Sequence, residues 1–130
     1  MGSIVTDIKI LVVHKNTKVS DIIEKALNDA GFADIDTSSD ASNALDKMRA
    51  DRYDLVMMDC VEYLAERLNF LKIVREDVDL KDIKCMMMFV DKDRNLFVGA
   101  FEAGADAYIH MPYDPVRLKK AIDKIFNMVP

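Results

Sequence analysis

Apolar residues along the chain follow two alternating rhythms. Five short runs are rich in apolar residues, three of them almost continuously so: "IKILVV" (Ile8 to Val13), "FADIDT" (Phe32 to Thr37), "DLVMMD" (Asp54 to Asp59), "IKCMMMFV" (Ile83 to Val90) and "AYIHM" (Ala107 to Met111). Between and after them, apolar residues recur every three to four positions, the spacing that puts them on one face of a helix. Val19, Ile22, Ile23, Ala26, Leu27 and Ala30 form the first such face, and Gly31 follows as a natural helix-ending residue. Ala41, Ala44, Leu45 and Met48 mark a second helix behind Asp40 as its cap, and Leu64, Leu68, Leu71 and Val74 mark a third. Leu96, Ala100 and Ala103 mark a shorter fourth helix that stops at Gly104. The fifth opens on Asp114-Pro115, a capping carboxylate followed by proline at the first helical position, and carries Leu118, Ala121, Ile122, Ile125, Phe126 and Val129.

Strict alternation of strand and helix with short links predicts right-handed crossovers and a doubly wound α/β domain, a parallel sheet with helices on both faces. The near-continuous apolar strands fit central positions covered on both sides. In such sheets the functional crevice lies beyond the carboxyl ends of the strands. The residues there are His14 and Lys15, Asp59 and Cys60, Phe89 and Val90, and His110 and Met111.

Length and charge narrow the picture. A chain of 130 residues holds one core. Residues 1–7 read as a leader, with Met1-Gly2-Ser3 as an expression remnant, and 8–130 as the domain. At 51% apolar and 32% charged, the composition is that of a globular protein. A formal charge of -5 gives no basic footprint for nucleic acid. The sequence has no membrane-span window and no signal-peptide pattern, so a cytoplasmic protein is expected. Cys60 and Cys85 lie in no metal-ligand spacing and are expected to be free thiols.

Two segments carry a family resemblance: "YDLVMMD", ending on Asp59, and "EAGADAYIHMPYDP" around the fifth strand. Together with the spacings between Lys15, Asp59, Phe89 and Met111, they resemble the receiver domain of bacterial response regulators, the CheY-like family, over essentially the whole chain. The resemblance implies a flavodoxin-like five-stranded sheet in the order 2-1-3-4-5, a place in two-component phosphorelay signalling, Asp59 at the phosphoacceptor position and Tyr108 as the switch aromatic. It also implies protein partners: a kinase, an output domain or a regulatory target.

Most of the family's usual pocket is replaced. The acidic pair that holds Mg²⁺ in typical members is His14 and Lys15 here, and a lysine cannot ligate a hard cation that seeks carboxylate and water oxygens. Phe89 and Val90 stand where a Thr or Ser and a small residue are usual, and Met111 stands for the fifth-strand lysine. The loop after the acceptor reads "CVEYLAER", with Tyr63, Glu66 and Arg67 in place of the usual Pro and Asp-Gly. Phosphoryl transfer draws its rate from positioning and charge stabilisation, which a bare carboxylate supplies poorly. Lys15 is therefore expected to neutralise Asp59, Mg²⁺ binding to be absent or weak, and Tyr108 to be held in place beside Phe89. The favoured reading is a pseudo-receiver, a binding module and not an enzyme. Two alternatives stay open: an atypical receiver still phosphorylated at Asp59, and a small redox or metal-binding enzyme using Cys60, or using His14 with Asp59 and Glu62. Oligomeric state is not legible.

Overall fold

The computed structural model describes residues 7–59, 64–89, 103–110 and 114–126. Five strands, β1 (Lys9–Val13), β2 (Asp34–Ser38), β3 (Leu55–Asp59), β4 (Lys84–Phe89) and β5 (Ala107–His110), form one parallel sheet in the order β2-β1-β3-β4-β5. The described helices are α1 (Thr17–Asp29), α2 (Ala41–Ala50), α3 (Leu64–Glu76) and α4 (Pro115–Phe126). The expected alternation and strand order are both present. The helix expected from Leu96 lies outside the described residues up to Ala103, as does Val129 of the last one. β2 begins two residues later than its apolar run, because Phe32 is spent on closing α1.

That closure is local chemistry. Ala30 ends α1, and Gly31 takes a φ of 105°, the left-handed region a side chain disfavours. The Gly31 N–H then donates to the Asn28 carbonyl and the Phe32 N–H to the Leu27 carbonyl at 2.9 Å. This paired return satisfies carbonyls the helix end would leave unbonded, and Phe32 and Leu27 are both fully buried beside it. Asn16 caps the start of α1, accepting from the Lys18 N–H, and the Asp40 carboxylate caps α2, accepting from the Asn43 N–H at 2.7 Å. Asp114 does the same for α4 through the Val116 N–H.

Alternation along the strands divides the core between two faces. Leu11, Val13, Val56, Met58, Met87 and Phe89 face α2 and α3, where Ala44, Met48, Phe70, Leu71 and Val74 cover them. Ile10, Val12, Leu55, Met57, Met86 and Met88 face α1 and α4, meeting Ile23, Leu27, Leu118 and Ile122. The methionines sit side by side in the sheet, Met57 opposite Met86 and Met58 opposite Met87, as unbranched fillers of irregular interior space.

Two arginines on α3 do work that helical periodicity does not announce. Arg75 bonds the carbonyls of Gly104 (2.9 Å), Lys81 (2.7 Å) and Ile83 (2.6 Å) and the Asp106 carboxylate (2.7 Å). Asp106 in turn accepts from the Cys85 N–H at 2.8 Å. One guanidinium therefore ties the end of α3, the approach to β4 and the approach to β5 together. The other arginine, Arg67, belongs to the site.

Candidate functional site

Parallel strands with short links bring their carboxyl ends to one edge of the sheet, and β3 delivers Asp59 there. Its side chain is 10% exposed. The stripe of α3 that packs on the sheet runs Arg67, Phe70, Leu71, Val74, so a guanidinium occupies the first position of an otherwise apolar line. Arg67 is buried to 2% exposure, and its Nη2 donates to Asp59 Oδ1 at 3.2 Å. Nη1 lies 3.4 Å from Glu66 Oε1 on the half-exposed side of the helix. Arg67 Nε is buried with no acceptor among the described residues.

Among the described residues Arg67, from α3, meets Asp59, and Lys15, expected in that role, is exposed beyond the end of β1. The physical difference lies in hydration. A lysine ammonium holds its water strongly, whereas a guanidinium is weakly hydrated and offers a planar fork that matches a carboxylate, so it suits a buried pair. Removing one partner of such a pair costs about 3–5 kcal/mol, because the other is left buried and uncompensated. A buried donor without an acceptor costs about 1–3 kcal/mol in its own right.

His14 is half-buried and tied to the backbone. Its N–H donates to the Ser38 carbonyl at 3.0 Å, continuing the β1–β2 pairing, and its Nδ1 accepts from the Asn16 N–H at 3.0 Å. An Nδ1 used as an acceptor carries no proton, so the neutral ring bears its hydrogen on Nε2. His14 is therefore part of the turn that starts α1. Among the described residues no three His, Cys, Asp or Glu side chains form a metal-ligand cluster. Glu62 lies outside the described residues, as do Cys60, Tyr63, Val90 and Met111.

At the far side of the crevice, Phe89 is fully buried, and its ring centroid lies 6.3 Å from Tyr108 in an edge-on arrangement. His110 stands 6.3 Å from Phe89 and 6.1 Å from Tyr108. Tyr108 keeps 41% of its surface exposed, so one side of the ring meets solvent and the other meets Phe89. Cys85 sits deep in the sheet, where burial pushes its thiol up to about 12 and keeps it in the unreactive protonated form.

Sequence reasoning placed Asp59, His14, Lys15, Phe89 and His110 at the carboxyl edge of the sheet, and the structure puts all five there. It noted Arg67 only as a departure from the usual loop. The available signal was positional: Arg67 lies three, four and seven residues before Phe70, Leu71 and Val74, on a line that packs inward.

Residues 10–123 match the response regulator receiver domain family, and the chain belongs to it. It is a receiver domain of the kind that serves two-component signalling. The chemotaxis protein CheY-3 of Vibrio cholerae is 29% identical over 121 residues, covering 93% of each chain. The structure of the chemotaxis response regulator CheY4 of Vibrio cholerae matches with a TM-score of 0.80 at 23% identity, over 92% of this chain and 99% of that one. An orphan response regulator of H. pylori matches at 0.75 and 28% identity, over 92% and 97%.

Proposed function

We propose that this receiver domain is a pseudo-receiver, which signals by binding protein partners without Mg²⁺-dependent phosphorylation of Asp59. One observation carries the reading: the carboxylate at the acceptor position is already engaged by a buried guanidinium, Arg67. The residues that end β1 support it, since His14 is committed to the backbone of the next turn and Lys15 offers no oxygen to a metal. At the switch position, Phe89 has no hydroxyl with which to follow a phosphoryl group, and it packs against Tyr108. The domain acts as a binding module in the cytoplasm, its partners being a kinase, an output domain or another regulatory target.

The test is incubation with acetyl phosphate and Mg²⁺ followed by intact-mass measurement. The unmodified mass is expected throughout. A stoichiometric, Mg²⁺-dependent phosphoryl adduct that disappears in Asp59→Asn would establish the domain as a working phosphoacceptor and overturn the reading.

A further inference from the structure

We propose that a cavity at the amino edge of the sheet, the edge opposite Asp59, is a docking site for an arginine-bearing basic segment of a protein partner. The proposal rests on the reading of the domain as a binding module and gives one of its partners a chemistry.

The cavity is open and has a volume of about 780 Å³, within the size range of ligand sites. It lies between the end of α2, the approach to β3 and the link from α3 to β4, with Met48, Leu80 and Phe126 as its apolar wall. The last carbonyls of a helix need donors from outside it. At the end of α2 the Asp51 N–H returns to the Lys47 carbonyl at 2.9 Å. The carbonyls that follow, those of Met48, Arg49 and Ala50, accept no hydrogen bond among the described residues, and all of these residues line the cavity. α3 also ends there, at Glu76 beside the lining Asp77. Two helix C-termini place fixed negative partial charge at the cavity and favour a cation in it.

Side chains add charge of the same sign. Five aspartates line the cavity and outnumber Arg49, Arg52 and Lys84. Asp51 is taken up by Lys9, Asp77 by Arg49 at 3.6 Å, and Asp54 accepts the Lys9 N–H at 2.9 Å. The carboxylates of Asp79 and Asp82 are exposed and have no partner among the described residues.

Carbonyls and carboxylates together select a guanidinium over an ammonium. A guanidinium is weakly hydrated and carries five donors in one plane, so it bonds several oxygens at once while its stem lies on apolar surface. Arg75 of this chain shows the chemistry, gathering the carbonyls of Lys81, Ile83 and Gly104 and the Asp106 carboxylate. Val78 favours a peptide over a free cation. It stands 76% exposed between the lining residues Asp77 and Asp79, and an apolar neighbour of the docked arginine would cover it.

The experiment titrates the intact protein with a capped Gly-Leu-Arg-Leu-Arg-Gly peptide and follows ¹H–¹⁵N NMR. Saturable shifts are expected in the backbone amides of residues 49–54 and 77–84. An analogue with lysine for arginine should bind about tenfold more weakly, the loss of one charge-assisted hydrogen bond. An analogue with citrulline, which keeps the shape and lacks the charge, should give no saturable shift. The double variant Asp79→Asn with Asp82→Asn changes only exposed side chains and should weaken the arginine peptide about tenfold as well. Absence of a saturable shift, equal binding of the lysine peptide or of spermidine, shifts centred outside the two segments, or undiminished binding in the double variant would overturn the site. Those outcomes leave the pseudo-receiver reading standing, whereas a covalent adduct from acetyl phosphate overturns that reading on a separate measurement.

Discussion

Arg67 Nη2 meets Asp59 Oδ1 at 3.2 Å, with the two side chains 2% and 10% exposed. The pair joins the first turn of α3 to the end of β3. Arg67→Leu should therefore destabilise the fold by about 3–5 kcal/mol, since it leaves the Asp59 charge buried and unmatched. Lys15→Ala, at an exposed position, should cost less than Arg67→Leu. Urea unfolding of both variants checks this. A larger loss at Lys15 than at Arg67 would reverse the assignment of the neutralising cation.

Mg²⁺ should leave the melting temperature unchanged at millimolar concentration. A ligand that binds only the folded state raises it, and His14 and Lys15 replace the carboxylates such a cation needs. A saturable rise that is abolished by Asp59→Ala would contradict this expectation.

Tyr108 should populate one rotamer, because the fully buried Phe89 ring occupies the space on its inner side. In Phe89→Ala the same ring should gain a second orientation, visible as exchange broadening of its aromatic NMR signals. Broadening of equal size in the wild type would show that Phe89 does not restrain it.

Gly104→Ala should be among the costlier single substitutions. Gly104 has a φ of 113°, and a Cβ there would lie 2.6 Å from Arg75 Cγ. The backbone conformation alone costs a non-glycine residue about 1–3 kcal/mol, and the displaced Arg75 would loosen its bonds to Gly104, Lys81, Ile83 and Asp106. Denaturant unfolding of Gly104→Ala beside Arg75→Lys should show both variants destabilised. A neutral Gly104→Ala would show that Arg75 yields without cost.

At the opposite edge of the sheet, Lys9 pairs with Asp51, and each shifts the other. The hydrogen bond from Lys9 holds the Asp51 carboxyl below its ordinary range, and the same bond raises Lys9. For Asp51 the folded value lies below the unfolded one, so its contribution is present above about pH 3.9 and is lost as pH falls through the lowered value. For Lys9 the contribution is present below its unfolded value of about 10.4 and fades as pH rises through the raised one. Lys9→Met should therefore flatten the acid limb of a melting-temperature profile. Parallel acid limbs in variant and wild type would show that the pair carries no pH dependence.

Local chemistry determined most of the fold. Gly31, Asp40 and Asp114-Pro115 act on neighbours within a few residues, so the end of α1 and the starts of α2 and α4 could be read directly from the chain. The apolar alternation of "ILVV", "LVMM" and "CMMMF" likewise needs only the pleat of a strand to assign inner faces. Strand order and the location of Asp59, His14, Lys15 and Phe89 at one edge came from the alternation of elements and the family pattern together.

The partners of Arg67 and Arg75 were decided only in three dimensions. Arg67 meets Asp59 and Arg75 gathers carbonyls from Lys81, Ile83 and Gly104, partners that helical spacing does not signal. Tyr53 shows the same thing, its hydroxyl donating to Asp36 at 2.5 Å across the end of the sheet. A long polar side chain chooses its partner by where packing leaves it after burial has stripped its water, and that depends on the angle at which α3 lies on the sheet. Sequence spacing carries the phase of a helix face, which is enough to find the apolar stripe. It does not carry the depth at which a guanidinium on that stripe meets a carboxylate from another element.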